Sequence, residues 1–202
     1  MSNRPPDYCP YCGTALDPVD PPTVFRCAAC DDRVFHNPCP GGGAAVVDRT
    51  SGGDNDDSRG GDADDADRIL LVEDFRSTDE WKLPEGRIEC GESPREGVAR
   101  ELAEETGLVV DPDDLVYFAD NAGEPVPEQY MANVDFAVWR SETTGTLDAG
   151  SDATDARFFT PAEFESSDRS LRASHRDRFG TDDLAWLLAE ARASLDRASG
   201  GD

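Results

Sequence analysis

Residues 86–108 of the chain read GRIECGESPREGVARELAEETGL. This stretch predicts a helix over Ser93–Thr106, because Ser93 is a good N-cap and Pro94 fits the first helical position. Glu96 lies three residues after the serine and completes a capping box. Gly107 is the residue type expected just after the end of a helix. The stretch therefore predicts a loop that leads into a capped helix.

One face of this helix is predicted to carry carboxylates, because Glu101, Glu104 and Glu105 occupy positions i, i+3 and i+4. Three adjacent negative charges repel one another unless a cation lies among them, and hard oxygen ligands suit Mg²⁺ or Mn²⁺. The opposite face carries the apolar residues Val98, Ala99, Leu102 and Ala103. The alternative interpretation is a solvated acidic face with weak surface ion pairs that involve Arg95, Glu96 and Arg100.

The stretch fits the pattern G-x5-E-x7-R-E-U-x-E-E-x-G-U without a gap, where U is an aliphatic residue. The matching residues are Gly86, Glu92, Arg100, Glu101, Leu102, Glu104, Glu105, Gly107 and Leu108. This pattern resembles the signature of the Nudix hydrolase family. The preceding WKLPEG is similar to the family's W-x-L-P-G-G-like run, but Glu85 stands where the family has a glycine. The resemblance covers about residues 40–160.

The resemblance implies metal-dependent hydrolysis of a diphosphate linkage. It implies that Glu101, Glu104 and Glu105 bind Mg²⁺ or Mn²⁺ together with the carbonyl of Gly86. It also implies that Arg100 orients the glutamates with support from Glu92, and it leaves the base role open between Glu101 and Glu105. Family members often recruit a later carboxylate, and the candidates here are Asp152, Asp155, Glu124 and Glu128.

Four cysteines predict a zinc site near the N-terminus. Cys9-x2-Cys12 and Cys27-x2-Cys30 each lie in a knuckle-like turn, and two such turns bring four thiolates into the tetrahedron that zinc prefers. A closed four-ligand site indicates a structural role, and metal binding can supply the folding free energy of a small segment. Disulfide and redox-dithiol interpretations fit less well in a cytosolic chain. Cys39 and Cys90 are left without a predicted role, and His36 is predicted to pack in a turn.

We expect a mixed α/β (α+β) chain with a Nudix-fold mixed sheet between helices. Residues 1–38 are predicted to form the zinc ribbon and residues 39–202 the Nudix hydrolase domain. Residues 50–67 have no side chain fit for a core, which predicts a disordered acidic loop. A last helix is predicted to begin near Thr181. Strands are predicted at Arg68–Glu73, Leu115–Ala119, Val134–Trp139 and Ala156–Phe159.

The 19 basic and 44 acidic side chains give a formal net charge of −25. Such a surface repels nucleic-acid backbones and anionic lipid, so neither is an expected partner. The chain has a single lysine, Lys82, and the acidity resembles that of proteins from a salt-adapted, haloarchaeal cytosol. No apolar stretch is long enough to span a membrane, and no secretory signal is visible, so we expect a cytoplasmic protein.

The combination of zinc ribbon and Nudix signature resembles NADH pyrophosphatases. Those enzymes carry S-Q-P-W after the signature, whereas this chain has Glu128-Gln129-Tyr130-Met131 in that region. Pro125 lies some 17 residues past the signature, where a proline resembles that of ADP-ribose pyrophosphatases. The preferred substrate is therefore an ADP-ribose-like nucleoside diphosphate, cleaved to a nucleoside monophosphate and a phosphorylated product. NADH, nucleoside triphosphates and a non-catalytic binding module remain as alternatives, and a homodimer is allowed. No substrate-binding residue is assigned, although Phe118, Tyr130 and Trp139 could stack on a base.

Overall fold

The computed structural model of the protein describes residues 4–49, 66–77, 79–150 and 153–200. The chain divides into two compact units, which do not follow the order of the sequence. The smaller unit combines Met1–Pro40 with Ala122–Ala132, and the larger unit combines Gly41–Asn121 with Asn133–Asp202. Most of the predicted acidic loop, residues 50–65, lies outside the described residues.

The smaller unit contains a three-stranded antiparallel sheet in the order β1-β2-β3. Its strands are β1 (Asp17–Asp20), β2 (Val24–Cys27) and β3 (Asp32–Phe35). The core of this unit is small, with two of its four buried members being cysteines. These members are Cys9, Phe25, Cys27 and Val34. Cores of this size generally require a metal, disulfides or a partner for stability.

A mixed sheet of eight strands dominates the larger unit. The strands run in the order β11-β6-β5-β4-β9-β8, while β10 pairs with β5 and β7 pairs with β4. Their bounds are β4 (Cys39–Asp48), β5 (Arg68–Asp74), β6 (Glu80–Lys82), β7 (Glu85–Arg87), β8 (Val116–Val126), β9 (Gln129–Trp139), β10 (Ala153–Phe159) and β11 (Ser170–Leu171). The β11–β6 pair is parallel, whereas β4 pairs antiparallel with both β5 and β7.

Four α-helices accompany this sheet: α1 (Pro94–Thr106), α2 (Pro161–Glu165), α3 (Ala173–Phe179) and α4 (Leu184–Ser199). Two apolar clusters pack them against the strands. Val98 and Leu102 of α1 belong to one cluster, and Leu187 and Leu195 of α4 belong to the other. Because successive residues of a strand point to opposite faces, the sheet lies between α1 and α4. The mixed α+β class predicted from the sequence is confirmed.

Most predicted elements occur where the sequence placed them, with shifted ends. Helix α1 ends at Thr106 as predicted, and α4 begins at Leu184 with Asp183 as its N-cap, three residues after the predicted start. Strands β8 and β9 are much longer than predicted, because both continue into a hairpin. Among the helices of the described ranges, none has the length and apolarity needed to cross a membrane.

Candidate active site

The loop and helix of residues 86–108 are fixed at both ends by local bonds. The Ser93 side chain accepts a hydrogen bond from the backbone N–H of Glu96, and the Glu96 side chain accepts one from Ser93. At the other end, Gly107 has a φ of 70°, the left-handed conformation that glycine adopts without strain. The capped helix predicted from the sequence is confirmed, and its position fixes the side chains described next.

Gly86 on β7 lies directly against the carboxylate of Glu101 on α1. A Cβ atom added at Gly86 would lie only 2.0–2.3 Å from the carboxylate atoms of Glu101. No side chain fits there, so the glycine allows the backbone of β7 and a helix carboxylate to meet. Glu101 is 18% exposed, so solvent and small ions can reach this contact.

Arg100 gathers several acidic groups around its guanidinium. Its Nε and Nη2 donate to the two carboxylate oxygens of Glu92 at 2.8 and 3.1 Å, a bidentate pair. Its Nη1 donates to Glu101 at 2.9 Å and to Glu104 at 3.3 Å, and its Nη2 also donates to the carbonyl of Arg87 at 2.8 Å. The bonds from Arg100 lower the pKa of Glu92 to about 2. Arg100 therefore joins the loop before the helix to two of the three helix glutamates.

Glu105 departs from the expected open face of three carboxylates. It is 2% exposed, and its Oε1 accepts from the Nζ of Lys82 at 2.8 Å. Its Oε2 accepts from the backbone N–H of Glu85 at 2.9 Å. Burial raises the pKa of Glu105, while Lys82 acts in the opposite direction. The helix thus presents one buried glutamate, one partly exposed Glu101, and Glu104, whose side chain is 50% exposed.

A second group of charged residues surrounds Glu85, and the sequence analysis did not find it. The Glu85 carboxylate accepts from Arg172 at 2.6 Å and from Arg178 at 2.5 Å. Arg172 also donates to Asp74 at 2.5 Å, and Arg178 lies 3.1 Å from Asp135, which is fully buried. Two features of the sequence indicated that this region is unusual: Lys82 is the chain's only lysine, and Glu85 replaces a glycine of the family's run. Nothing in the sequence pointed to the two arginines.

Burial and charge shift the pKa values of this group in opposite directions. Although burial alone would raise it, Arg178, Lys82 and Arg172 lower the pKa of Glu85 to about 2. Burial raises the pKa of Asp135 to about 6, with Arg178 opposing it. Burial also lowers the pKa of His175 to about 3, so this ring is neutral at physiological pH. Glu85 is consequently ionised across the physiological range.

Carboxylate oxygens beside α1 are available to a hard divalent cation. Glu101 and Glu104 supply carboxylate oxygens, and the backbone of Gly86 touches the Glu101 carboxylate. Oxygen ligands of this kind suit Mg²⁺ and Mn²⁺. Among the described residues, Glu101, Glu104 and Glu105 do not form a cluster of three convergent ligand atoms, and each forms an ion pair with Arg100 or Lys82.

The four predicted cysteines converge in the smaller unit. Their sulfur atoms lie within 4.8 Å of one another, which no other group of three or more potential ligands does among the described residues. The Sγ atoms of Cys9 and Cys30 are 3.9 Å apart, and those of Cys12 and Cys27 are 3.5 Å apart. Zn–S bonds of about 2.3 Å in a tetrahedron require S···S separations of about 3.8 Å. The cluster therefore fits a zinc ion, and His36 instead lies 3.2 Å from the carbonyl of Pro22 through its Nδ1.

The remaining predicted candidates that the structure describes have other contacts, and their role at α1 stays a prediction. Asp152 lies outside the described residues, and Asp155 forms an ion pair with Arg157 at 2.7 Å. The carboxylate of Glu124 accepts from the backbone N–H of Glu128 in the smaller unit. The three aromatic rings also have partners in the structure. Phe118 packs on Phe179, Tyr130 on His36, and Trp139 under the guanidinium of Arg49.

Comparison with known proteins supplies independent information. The family model for the NUDIX domain matches residues 62–179. An "ADP-ribose pyrophosphatase" of Methanocaldococcus jannaschii is 34% identical over 96 residues, which is 46% of this chain and 54% of that protein. An "Octanoyltransferase" of Myxococcus xanthus is 49% identical over 59 residues, 29% of this chain and 16% of that protein. The chain thus spans about half or less of these curated relatives.

Solved structures also share the fold. The NUDIX domain of Shewanella oneidensis NrtR, solved as a complex with ADP ribose, superposes with a TM-score of 0.56. The match covers 80% of this chain and 90% of that one at 18% sequence identity. At this identity, the likeness concerns the arrangement of strands and helices.

Proposed function

Because the chain belongs to the NUDIX domain family, we propose that it is a metal-dependent hydrolase of diphosphate linkages. The observation that carries this proposal is the contact between Gly86 and the Glu101 carboxylate, beside the guanidinium of Arg100. It supports a site where a backbone carbonyl and helix carboxylates hold Mg²⁺ or Mn²⁺ together. When bound, the metal neutralises phosphate charge and lowers the pKa of a bound water.

The chain's own residues divide the work in this proposal. Glu92 fixes Arg100, which in turn orients Glu101 and Glu104 through charged hydrogen bonds. Glu105 has both oxygens occupied, by Lys82 and by the backbone N–H of Glu85. Because each carboxylate oxygen can accept more than one contact, we propose that Glu105 binds the metal from this fixed position. Glu101 and Glu104 are left as the helix carboxylates that can accept a proton from the attacking water.

We propose an ADP-ribose-like substrate, meaning a nucleoside diphosphate joined to a second group. The relative from M. jannaschii named "ADP-ribose pyrophosphatase" supports this choice. Water attacks one phosphorus, the bridging P–O bond breaks, and the products are a nucleoside monophosphate and a phosphorylated remainder. NADH and nucleoside triphosphates are the alternative substrates.

The remaining expectations are proposals about the whole protein. We propose that residues 1–38 form a ribbon around one structural zinc and that residues 39–202 form the hydrolase domain. The net charge of −25 supports adaptation to a salt-rich cytoplasm, where ions screen self-repulsion. We propose no nucleic-acid or membrane partner and leave the homodimer as a hypothesis.

A substrate panel tests the proposed function. ADP-ribose, NADH, dinucleoside polyphosphates and deoxynucleoside triphosphates are each incubated with the zinc-loaded protein in molar KCl with Mg²⁺ or Mn²⁺. We expect the highest kcat/KM for ADP-ribose, with AMP as a product. Turnover of another member of the panel would reassign the substrate. The absence of turnover for all of them with both metals would instead support a non-catalytic binding module.

A further inference from the structure

Glu85 takes part in two sets of contacts, one through its backbone and one through its side chain. Its N–H donates to Oε2 of Glu105 at 2.9 Å, and its carbonyl accepts from Nζ of Lys82 at 3.3 Å. Its side chain accepts from Arg172 and Arg178, and only 11% of that side chain is exposed. The backbone of this residue therefore belongs to the α1 site, while its carboxylate belongs to a different part of the larger unit.

The two arginines come from a segment well beyond the Nudix signature. Arg172 is the residue before α3, and Arg178 lies in the last turn of that helix. Arg172 is also bonded to Asp74 on β5, and Arg178 is also paired with Asp135 on β9. Positive and negative groups thus alternate along the row Asp74, Arg172, Glu85, Arg178, Asp135. Because each arginine contacts two carboxylates that belong to different strands, the row fixes where the Glu85 carboxylate lies.

The position of Glu85 determines the geometry at α1. Glu85 immediately precedes Gly86, whose Cα touches the Glu101 carboxylate, so a displacement of Glu85 moves that contact. The same displacement removes the N–H that holds Glu105. We propose that Glu85 is a positioning residue of the metal site and that Arg172 and Arg178 clamp it there. This inference rests on the proposed function, and it extends the functional unit from the signature to α3.

If the arginines acted only through their charge, removing them would change the divalent-cation affinity in the opposite direction, so the direction of the change distinguishes the two explanations. Removing a cation near a metal site strengthens divalent-cation binding when charge alone acts. Removing a residue that holds Glu85 in place weakens cation binding, because the Gly86 backbone and the helix carboxylates no longer keep the distances that the metal requires. Arg178→Met and Arg172→Met distinguish the two, and Arg172→Met is the milder change because its side chain is 24% exposed. Arg192→Met removes one positive charge from an exposed pair with Asp67 and serves as the matched control.

The primary measurement is the dissociation constant for Mn²⁺, taken by calorimetry on zinc-loaded protein without substrate in molar KCl. Binding that Glu101→Gln abolishes defines the α1 site. We expect Arg172→Met and Arg178→Met to weaken this binding at least fivefold, with Arg192→Met within twofold of the wild type. With an active substrate, we expect kcat to fall about tenfold and KM to change less than twofold.

A double-mutant cycle tests whether the arginines act through Glu85. If they do, Glu85→Ala combined with Arg172→Met binds Mn²⁺ no more weakly than Glu85→Ala alone. Additive effects, or Mn²⁺ binding that is unchanged or tighter in a folded Arg172→Met protein, would overturn the clamp. Lack of any Mn²⁺ site sensitive to Glu101→Gln would overturn it as well. Normal Mn²⁺ binding without hydrolysis would refute the proposed function alone, since the clamp is measured by binding.

Discussion

Lys82 and Glu105 form an ion pair in the interior, with side chains only 6% and 3% exposed. Such a pair is costly to desolvate, and removing one partner leaves an uncompensated buried charge. In a chain whose other basic residues are all arginine, the single lysine holds a glutamate of the signature. The flexible stem of lysine lets its compact ammonium also reach the carbonyl of Glu85.

Lys82→Met is expected to lower the free energy of unfolding by about 3–5 kcal/mol, because Glu105 stays buried without its cation. The double variant Lys82→Met/Glu105→Gln should recover part of this loss, since no charge is then left unpaired. Urea unfolding at neutral pH in molar KCl measures both, with Arg192→Gln as a surface control. A Lys82→Met protein as stable as the wild type would show that the pair does not form.

The pH dependence of stability should reveal the raised pKa of the Asp135 carboxyl group. Its pKa in the folded state is about 6, against about 3.9 for an unfolded aspartate, despite the nearby Arg178. The folded state therefore binds the proton more tightly, and this group's contribution to stability falls as the pH rises from 4 to 7. Relative to the wild type, Asp135→Asn should gain about 2–3 kcal/mol across that range.

Chemical unfolding of wild type and Asp135→Asn at pH 4, 5, 6 and 7 measures this change. Asp177→Asn, on the exposed side of α3, is the surface control. A difference between wild type and Asp135→Asn that stays level over these pH values would contradict a buried carboxylate with a raised pKa.

Helix α1 begins with a capping box. The reciprocal bonds between Ser93 and Glu96 satisfy two backbone donors that would otherwise be exposed at the helix start. Ser93→Ala should cost about 1 kcal/mol of stability and leave the catalytic residues in place. Thermal or urea unfolding measures it against Ser199→Ala near the end of α4. Equal stability of the two variants would mean that the capping box does not hold the helix.

Local signals in the sequence were enough to predict α1 and the four-cysteine cluster. Ser93, Pro94 and Gly107 act within the helix itself, and the paired CxxC turns set the sulfur positions through short-range geometry. Helix α3 and its arginines could not be predicted in the same way. Arg172 and Arg178 contact Glu85, which lies about ninety residues away in the sequence, so no local pattern indicates the pairing. A short helix also shows little hydrophobic periodicity.

The burial of Glu105 also escaped the sequence analysis, for a related reason. Helical spacing places Glu101, Glu104 and Glu105 on one side, but it does not specify what covers that side. Here Lys82 and the backbone of Glu85 cover Glu105, while Glu104 is half exposed. Tertiary contacts therefore give the glutamates of one helix face different exposures, which their spacing in the sequence does not predict.

At the scale of the whole molecule, the smaller unit has too few buried apolar residues to be stable without help. We expect about one zinc per chain by elemental analysis, bound by Cys9, Cys12, Cys27 and Cys30. Cys27→Ser should lose the metal and the protection of residues 4–40 against hydrogen exchange. Cys90→Ser, which changes an exposed cysteine outside the cluster, should keep both. A metal-free protein in which residues 4–40 remain protected would contradict the zinc site.

The acidity of the molecule has separable parts. Of its 44 acidic side chains, several are paired with arginine or lysine in the interior, among them Asp74, Glu85, Glu105 and Asp135. Glu101 and Glu104 lie nearer the surface of α1 and are the carboxylates to which the proposed function assigns a divalent cation. In the proposed function, metal bound there neutralises the charge that would otherwise repel an anionic diphosphate. The net charge alone therefore does not exclude a phosphate-bearing substrate.

The most direct test of metal-dependent hydrolysis is the release of AMP from ADP-ribose in molar KCl. It is measured for the zinc-loaded wild type with Mg²⁺ or Mn²⁺, with both omitted, and for Glu101→Gln with metal. Glu190→Gln, on α4, controls for the loss of one negative charge. We predict AMP release only with added metal, unchanged in Glu190→Gln and reduced at least a hundredfold in Glu101→Gln, on the order of magnitude lost with a key catalytic group. Equal AMP release without added metal, or full activity in Glu101→Gln, would contradict the account.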